Sequence, residues 1–510
     1  MNISTNKKIR RTDLLTITII IVIAIALFLH LFLRPAEKKD DIVVKSLEDV
    51  KTSEIAVLTG SNAENVARET FPDATLMTYN LNSDALYAVE IGNVKYGMAL
   101  SFVIDDYNKK RGNVLEIVGE PVKESESGIF FARNEKNKTV LPQFNEFLNK
   151  IKENGELKKI DARWFDVDGE IINLDYDSLN GENGTLIFAV DAAYPPFTYV
   201  YNNEVVGYDA EVVYRFCQEY NYALDVRPVD FNGMLTGIKS GKFDIGGGGN
   251  AITEERKKSV DFSDPLKKNK MCVYTAAGKT EVSLNFVEGL KDTFYKTFIQ
   301  EDRYKLFLEG LKATIFMSCM SIILGTILSF VICLLRLTNS VVLNKICDVY
   351  VSILEGIPVL VILLLLYYIV FKSSSIPGEY IAIIAFTLNF SAYVSEIMIT
   401  SIRGVDKGQW EAAYALGFSY WVTFLKFIFK QSLVSIIPVY KGEIISLIKS
   451  TSIVGYIAVQ DLTKMSDIVR SRTFEPFVPI LTIALIYYIF SFLASNILNY
   501  ILLKVKWEKK

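Results

Sequence analysis

Long apolar runs beyond residue 300 constrain this chain more than any other feature. They occupy 306–335, 346–371, 381–402, 432–447 and 478–503, parted by short polar or charged stretches. A helix needs about 20 apolar residues to cross the hydrocarbon core of a bilayer, and in that core the backbone must satisfy its own hydrogen bonds. Residues 304–510 therefore read as an all-α membrane domain of five spans. A further run at 14–33 follows Lys7, Lys8, Arg10 and Arg11. It is long, and Arg34-Pro35 follows without a small-residue cleavage site, so residues 1–41 read as a cytoplasmic tail and uncleaved anchor rather than a signal peptide. Six crossings put both termini inside, with Arg336, Lys345, Arg403, Lys407 and the basic tail on the cytoplasmic side. The stretch between anchor and spans then lies outside.

Composition narrows the chemistry. A net charge of −3 gives no electrostatic reason for a nucleic-acid partner. The single histidine, His30, ends an apolar run, which removes histidine catalysis and most zinc sites. The five cysteines show no metal-binding spacing, so no metal site is expected. Most read as buried single thiols, although Cys217 and Cys272 could pair.

The outer part reads as two α/β units, 42–182 and 183–277, joined to the spans by a linker at 278–303. In the first, SEIAVLTG, ATLMTYN and YGMALSFVI are strands alternating with helices, and Ser61 or Asn62 caps the first helix. The helix pair in VLPQFNEFLNKIKENGELKKIDARWF closes that unit. In the second, GTLIFAVD, ALDVRPVDF and FDIGGGG are strands, with helices between them and a basic helix before FSDPL. Such alternation implies parallel sheets with right-handed crossovers.

Two sets of motifs carry a resemblance. Gly408-Gln409-Trp410-Glu411-Ala412-Ala413-Tyr414-Ala415-Leu416-Gly417, followed by FSYWVTFLKFIFK, reads as helix, turn at Gly417 and helix. It resembles the EAA coupling loop of ATP-binding-cassette importer permeases, in the polar amino-acid version. The DAAYPPF, GYD and ITEERKKSVDFSDP segments resemble the type II periplasmic binding proteins for polar amino acids. Here the LTGSN lobe comes first and the FSDP lobe second, the reverse of the family's order. One circularly permuted receptor accounts for this, since domain termini often lie close together; two separate incomplete domains are the other reading. The implied architecture is multidomain: an anchor, a two-lobed α/β binding domain, and an all-α permease.

The resemblance implies roles residue by residue. Arg256 grips a ligand carboxylate, which suits a planar fork of charge-assisted donors. Gly249 and Ala251 offer backbone groups. Asp191 and Tyr194 match the strand-end acid and cleft aromatic, and Phe231 an apolar wall. Gly60, Ser61 and Asn62 open a helix whose amides attract an anionic group. Leu100 stands where the family places an acid for the ligand ammonium. Either Asp191 takes over, or the solute is not a standard α-amino acid, or binding is impaired. In the permease, Glu411, Ala412, Ala413 and Gly417 would couple to an ATPase. Glu396, Glu443 and Lys449 would lie on the translocation path or at a dimer interface, because charge within a span is costly unless it is turned inward. With no GxxxxGK[ST] motif, the chain is expected to carry no cofactor and no ATPase activity. ATP and magnesium would be used by two copies of a separate subunit, and a second permease copy or homologue would complete the path. A ligand-gated channel or sensor is the alternative. Val454-Gly455-Tyr456 suggests a potassium filter, but Ile457 stands where that filter needs glycine.

Overall fold

In the computed structural model, residues 47–166, 170–202, 204–277, 291–338, 340–372, 374 and 376–507 are described. The expected anchor at 14–33 lies outside the described residues. Among the described residues, thirteen strands appear, all before residue 277: β1 (Glu54–Leu58), β2 (Thr75–Tyr79), β3 (Tyr96–Leu100), β4 (Leu115–Ser127), β5 (Phe130–Phe131), β6 (Thr185–Asp191), β7 (Ala193–Tyr194), β8 (Thr198–Tyr201), β9 (Glu204–Val206), β10 (Ala223–Val229), β11 (Ile245–Gly247), β12 (Asp261–Phe262) and β13 (Lys267–Ala276). They form two five-stranded sheets, β2-β1-β3-β13-β4 and β10-β6-β11-β5-β12, and a small sheet β7-β8-β9.

The β2-β1-β3 and β10-β6-β11 ladders are parallel, as the strand–helix alternation requires. All five residues of β3 are buried, as for a strand covered on both faces. The remaining pairings of the two five-stranded sheets are antiparallel and involve β13, β4, β5 and β12, which belong to segments next to the crossings between the lobes.

Those crossings correct the expected boundary. Lobe A comprises 47–127 and 267–277, and lobe B 130–262, so the division does not fall at 182/183. The helices Asn137–Glu153 and Glu156–Phe165 pack on the second sheet: Phe144 meets Phe131 edge-on at 5.5 Å and Phe216 at 5.1 Å. The fully buried Glu211 fixes them further, accepting from Trp164 Nε1 at 2.7 Å and pairing with Arg163 and Arg215. Leu47 packs beside Gly119, and Ala277 N donates to Val114 O at 2.9 Å, so the first and last described receptor residues both belong to lobe A. Cys217 and Cys272 sit in different lobes, and both are free thiols.

Among the described residues, four helices are long and apolar enough to cross a membrane: Tyr304–Arg336, Gly378–Arg403, Tyr420–Ile457 and Phe477–Leu503. The expected span 346–371 is instead Val341–Gly356 and Val359–Val370, bent by 102°. Pro358 lies at the break; its ring clashes with the preceding turn, and it cannot donate to it. The fourth span is longer than 432–447 because helix continues through the elbow side of Phe429. Small residues let Tyr304–Arg336 approach Gly378–Arg403 closely: a Cβ on Gly325 would lie 2.7 Å from the Phe390 ring.

Candidate functional site

A cleft enclosing about 620 Å³ of space, open solvent included, lies between the lobes, lined by Ser61, Asn62, Asp191, Tyr194, Phe231, Gly249, Ala251 and Arg256 among others. Eight of the nine expected ligand residues thus share one space. Gly60, the ninth, reaches it through its carbonyl, which accepts from Arg256 Nη2 at 3.1 Å.

Arg256 is placed by a short helix capped by Thr253, whose hydroxyl accepts from Arg256 N at 3.3 Å. Its guanidinium also donates to Ala251 O at 3.2 Å and lies 4.9 Å from the Phe231 ring centroid. The side chain is 7% exposed and makes no ion pair among the described residues. Burial pushes its pKa down to about 10, against smaller opposing effects of Glu255 and Tyr194. Asp191 ends β6 and accepts from Ala193 N at 3.1 Å, likewise without an ion pair within 4 Å among the described residues. Burial raises its pKa, partly offset by Lys464. Tyr194 stacks on Phe197 with centroids 5.9 Å apart.

Gly249 has to be glycine. Its φ is +63°, and a Cβ would sit 2.6 Å from the Phe197 ring. Asp209, of the GYD segment, holds this loop: one carboxylate oxygen accepts from Gly248 N and Gly249 N, both at 2.8 Å. Burial pushes Asp209 up to about 6. The sequence reading missed Asp209, and also Asn82, Ser125, Asn250 and Asn269, which line the cleft. Asp209, in the quoted GYD segment, and Asn250, ending the glycine run, carried a local signal. Ser61 is the cap, accepting from Glu64 N at 3.2 Å. Leu100 lines the cleft at 8% exposure, paired with Met271 in the sheet.

The cleft is joined to the membrane part. The helix Leu462–Thr473, between the last two spans, touches both lobes: Arg470 pairs with Asp84 of lobe A, and Arg472 donates to Val200 O of lobe B. Arg111 pairs with Glu475 at 3.2 Å, and Tyr107 packs on Phe474 at 4.8 Å. From lobe B, Lys242 Nζ donates to Phe371 O at 2.7 Å and Ser374 O at 2.8 Å. The Tyr368 hydroxyl lies 3.0 Å from Gly233 O and 2.9 Å from Tyr456 O.

At the opposite ends of these spans, Lys407–Ala415 forms a helix capped by Asp406. It stops at Gly417, φ +82°, in a Schellman turn: Gly417 N donates to Tyr414 O at 2.9 Å and Phe418 N to Ala413 O at 3.1 Å. Glu411, Ala412 and Gly417 are exposed, and Ala413 is buried. Leu416 and Trp421 expose 76% and 57% of their surface, leaving an apolar elbow open. Glu396, Glu443 and Lys449 do not gather: Glu396 pairs with Arg336, which also meets Asp348 at 2.9 Å, while Glu443 is half-buried and Lys449 exposed.

Residues 186–448 match the family of bacterial extracellular solute-binding proteins, family 3. A probable amino-acid ABC transporter permease, YckA of Bacillus subtilis, is 32% identical over 209 residues, covering 40% of this chain and 91% of that protein. The L-cystine transport system permease TcyB of Bacillus subtilis is 34% identical, covering 39% of this chain and 85% of its own length. A crystal structure of an amino acid ABC transporter is similar at 29% identity over 44% of this chain and 100% of that chain, with a TM-score of 0.38. The chain belongs to the family-3 extracellular solute-binding proteins and, through its membrane half, to the amino-acid ABC transporter permeases, receptor and permease being fused in one polypeptide.

Proposed function

We propose that this chain is the receptor-bearing membrane subunit of an ATP-driven importer for a polar amino acid or related zwitterion. The carrying observation is the charge arrangement in the cleft. Among the described residues, Arg256 and Asp191 are its only charged lining residues, and neither has an ion-pair partner within 4 Å there. An ion left unpaired in a desolvated site is costly, and a solute carrying carboxylate and ammonium would relieve both ends. Arg256 takes the carboxylate, Gly249 and Ala251 supply backbone groups, and Tyr194 and Phe231 wall the solute in. Two permeases with related spans are named for amino-acid and cystine transport, which supports this solute class.

Closure of the lobes on the solute is a hinge motion that Leu462–Thr473, touching both, would read. The elbow at Glu411–Gly417 docks a separate ATP-binding subunit, two of which use ATP and magnesium, and a second permease copy or homologue completes the pore. The receptor faces outward and both termini the cytoplasm. Reconstitution tests this. Vesicles holding the chain and its ATPase should take up labelled amino acid only with ATP inside. Uptake without nucleotide or a second polypeptide would mean a channel instead.

A further inference from the structure

Asn250 and Asn269 line the cleft and are 1% and 4% exposed. Both sit where the lobes join. Asn250 O accepts from Gly128 N at 3.0 Å, and Asn269 pairs with Ser125 in the β13–β4 ladder. Their amides are oriented by their neighbours. Asn250 Nδ2 donates to Gly246 O at 3.1 Å, and a carbonyl can only accept, so this nitrogen cannot exchange places with the oxygen. Asn269 Nδ2 donates to Ser127 Oγ at 3.1 Å. The Ser127 proton goes to Lys267 O at 3.4 Å, leaving that hydroxyl to accept. Both Oδ1 atoms remain buried with no hydrogen-bond partner. Buried acceptors without donors are uncommon because they lose water and gain nothing. Both oxygens belong to residues that line one cleft, beside a leucine that cannot bind a cation, and a donor from outside the chain would satisfy them once the lobes part.

We propose that Asn250 and Asn269 receive the N–H donor group of the solute, in place of a carboxylate at Leu100. This rests on the amino-acid reading of the cleft and sharpens it. The solute class is a carboxylate for Arg256 plus an ammonium whose N–H groups are shared between Asp191 and the two neutral amide oxygens, or a separate amide N–H for those oxygens. An analogue without that donor leaves both oxygens unpaired and is rejected, the discrimination that hydrogen-bonding pockets achieve best.

The test uses the full-length chain in detergent. Titration calorimetry screens the twenty proteinogenic L-amino acids and L-cystine, then the tightest binder's des-amino analogue, which lacks the ammonium. Where that binder has a side-chain amide, its carboxylic acid counterpart separates the two donors. Asn250→Leu and Asn269→Leu should each weaken the parent solute roughly ten- to hundredfold. They should not further weaken the analogue that lacks the relevant donor. Leucine variants with an unchanged thermal transition that bind like wild type, or that weaken both solutes equally, overturn the proposal. If a leucine variant does not fold, Asn269→Asp decides. Tightening of the parent solute supports the proposal; no change or weakening overturns it. If Arg256→Met abolishes binding while the asparagine variants do nothing, only this proposal falls. If no panel member binds wild type, the amino-acid reading falls with it.

Discussion

Replacing Arg256 by methionine should stabilise the empty receptor while destroying its affinity. The drop in the Arg256 pKa from an ordinary 12.5 to about 10 corresponds to roughly 3 kcal/mol of unfavourable charge burial, at about 1.4 kcal/mol per tenfold change in proton affinity. The sign follows from proton counting. Between those values the unfolded chain keeps a proton that the folded chain has released, so stability rises only as pH climbs past about 10. At neutral pH the cost is present in full. Methionine keeps the apolar stem against Phe231 and removes the charge. It also leaves Ala251 O without its donor and loses the ring contact, each worth about 1 kcal/mol. Gly60 is exposed, so water can replace the lost donor there. The balance is a gain of about 1 kcal/mol without solute, against a loss of about 2–5 kcal/mol in binding a carboxylate solute. Thermal unfolding of the solute-free chain and calorimetric titration read the two quantities separately. A variant that unfolds earlier and still binds would refute the reasoning on both counts.

Gly249→Ala should cost about 2–3 kcal/mol and abolish binding, because it adds left-handed strain to a clash with Phe197; denaturation and titration would show it. Asp209→Asn should change the pH profile. Between the ordinary carboxylate range and about 6 the folded chain holds a proton that the unfolded chain has lost, so Asp209 adds stability at pH 4 that disappears as pH rises through 6. The asparagine should flatten that fall, and a wild-type stability that instead rose over the interval attributable to this residue would contradict the assignment. Gly417→Val should strain the turn by about 1–2 kcal/mol. Solute-stimulated ATP hydrolysis by the co-reconstituted ATPase should drop while binding in the cleft is unchanged. Tyr368→Phe removes the hydroxyl between Gly233 O and Tyr456 O, and about 1 kcal/mol of lost docking should appear as roughly fivefold faster amide exchange in Phe231–Ser240.

What the sequence made legible was written in local rules. Helix propensity and a terminal glycine located the elbow, and the structure adds only that Gly417 closes a Schellman turn. Strand–helix alternation predicted the parallel ladders, and the resemblance of the DAAYPPF, GYD and FSDP segments to the type II binding proteins brought most of the cleft together. The lobe boundary was hidden because β4, with its alternating charges, reads as loop, and because the packing of Asn137–Phe165 depends on partners such as Phe216 and Glu211 far along the chain. Pro358 was visible, but a long apolar run concealed its effect. Asn250 and Asn269 look like ordinary polar residues until their nitrogens are seen anchored and their oxygens left over. The stretch Leu462–Thr473 reads as a polar connection because its partners, Asp84 and Val200, lie hundreds of residues away.

The first and last described receptor residues, Leu47 and Ala277, both lie in lobe A. Tension transmitted along the backbone from either flank is therefore borne by one half alone. The other half, which carries Arg256, Asp191 and the glycine loop, is moored covalently only through its partner. Its ties to the membrane helices run through the side chains of Lys242, Tyr368 and Arg472. A door hung in this way swings on the side that holds the latch, so amplitude should be concentrated in lobe B while lobe A stays as the jamb.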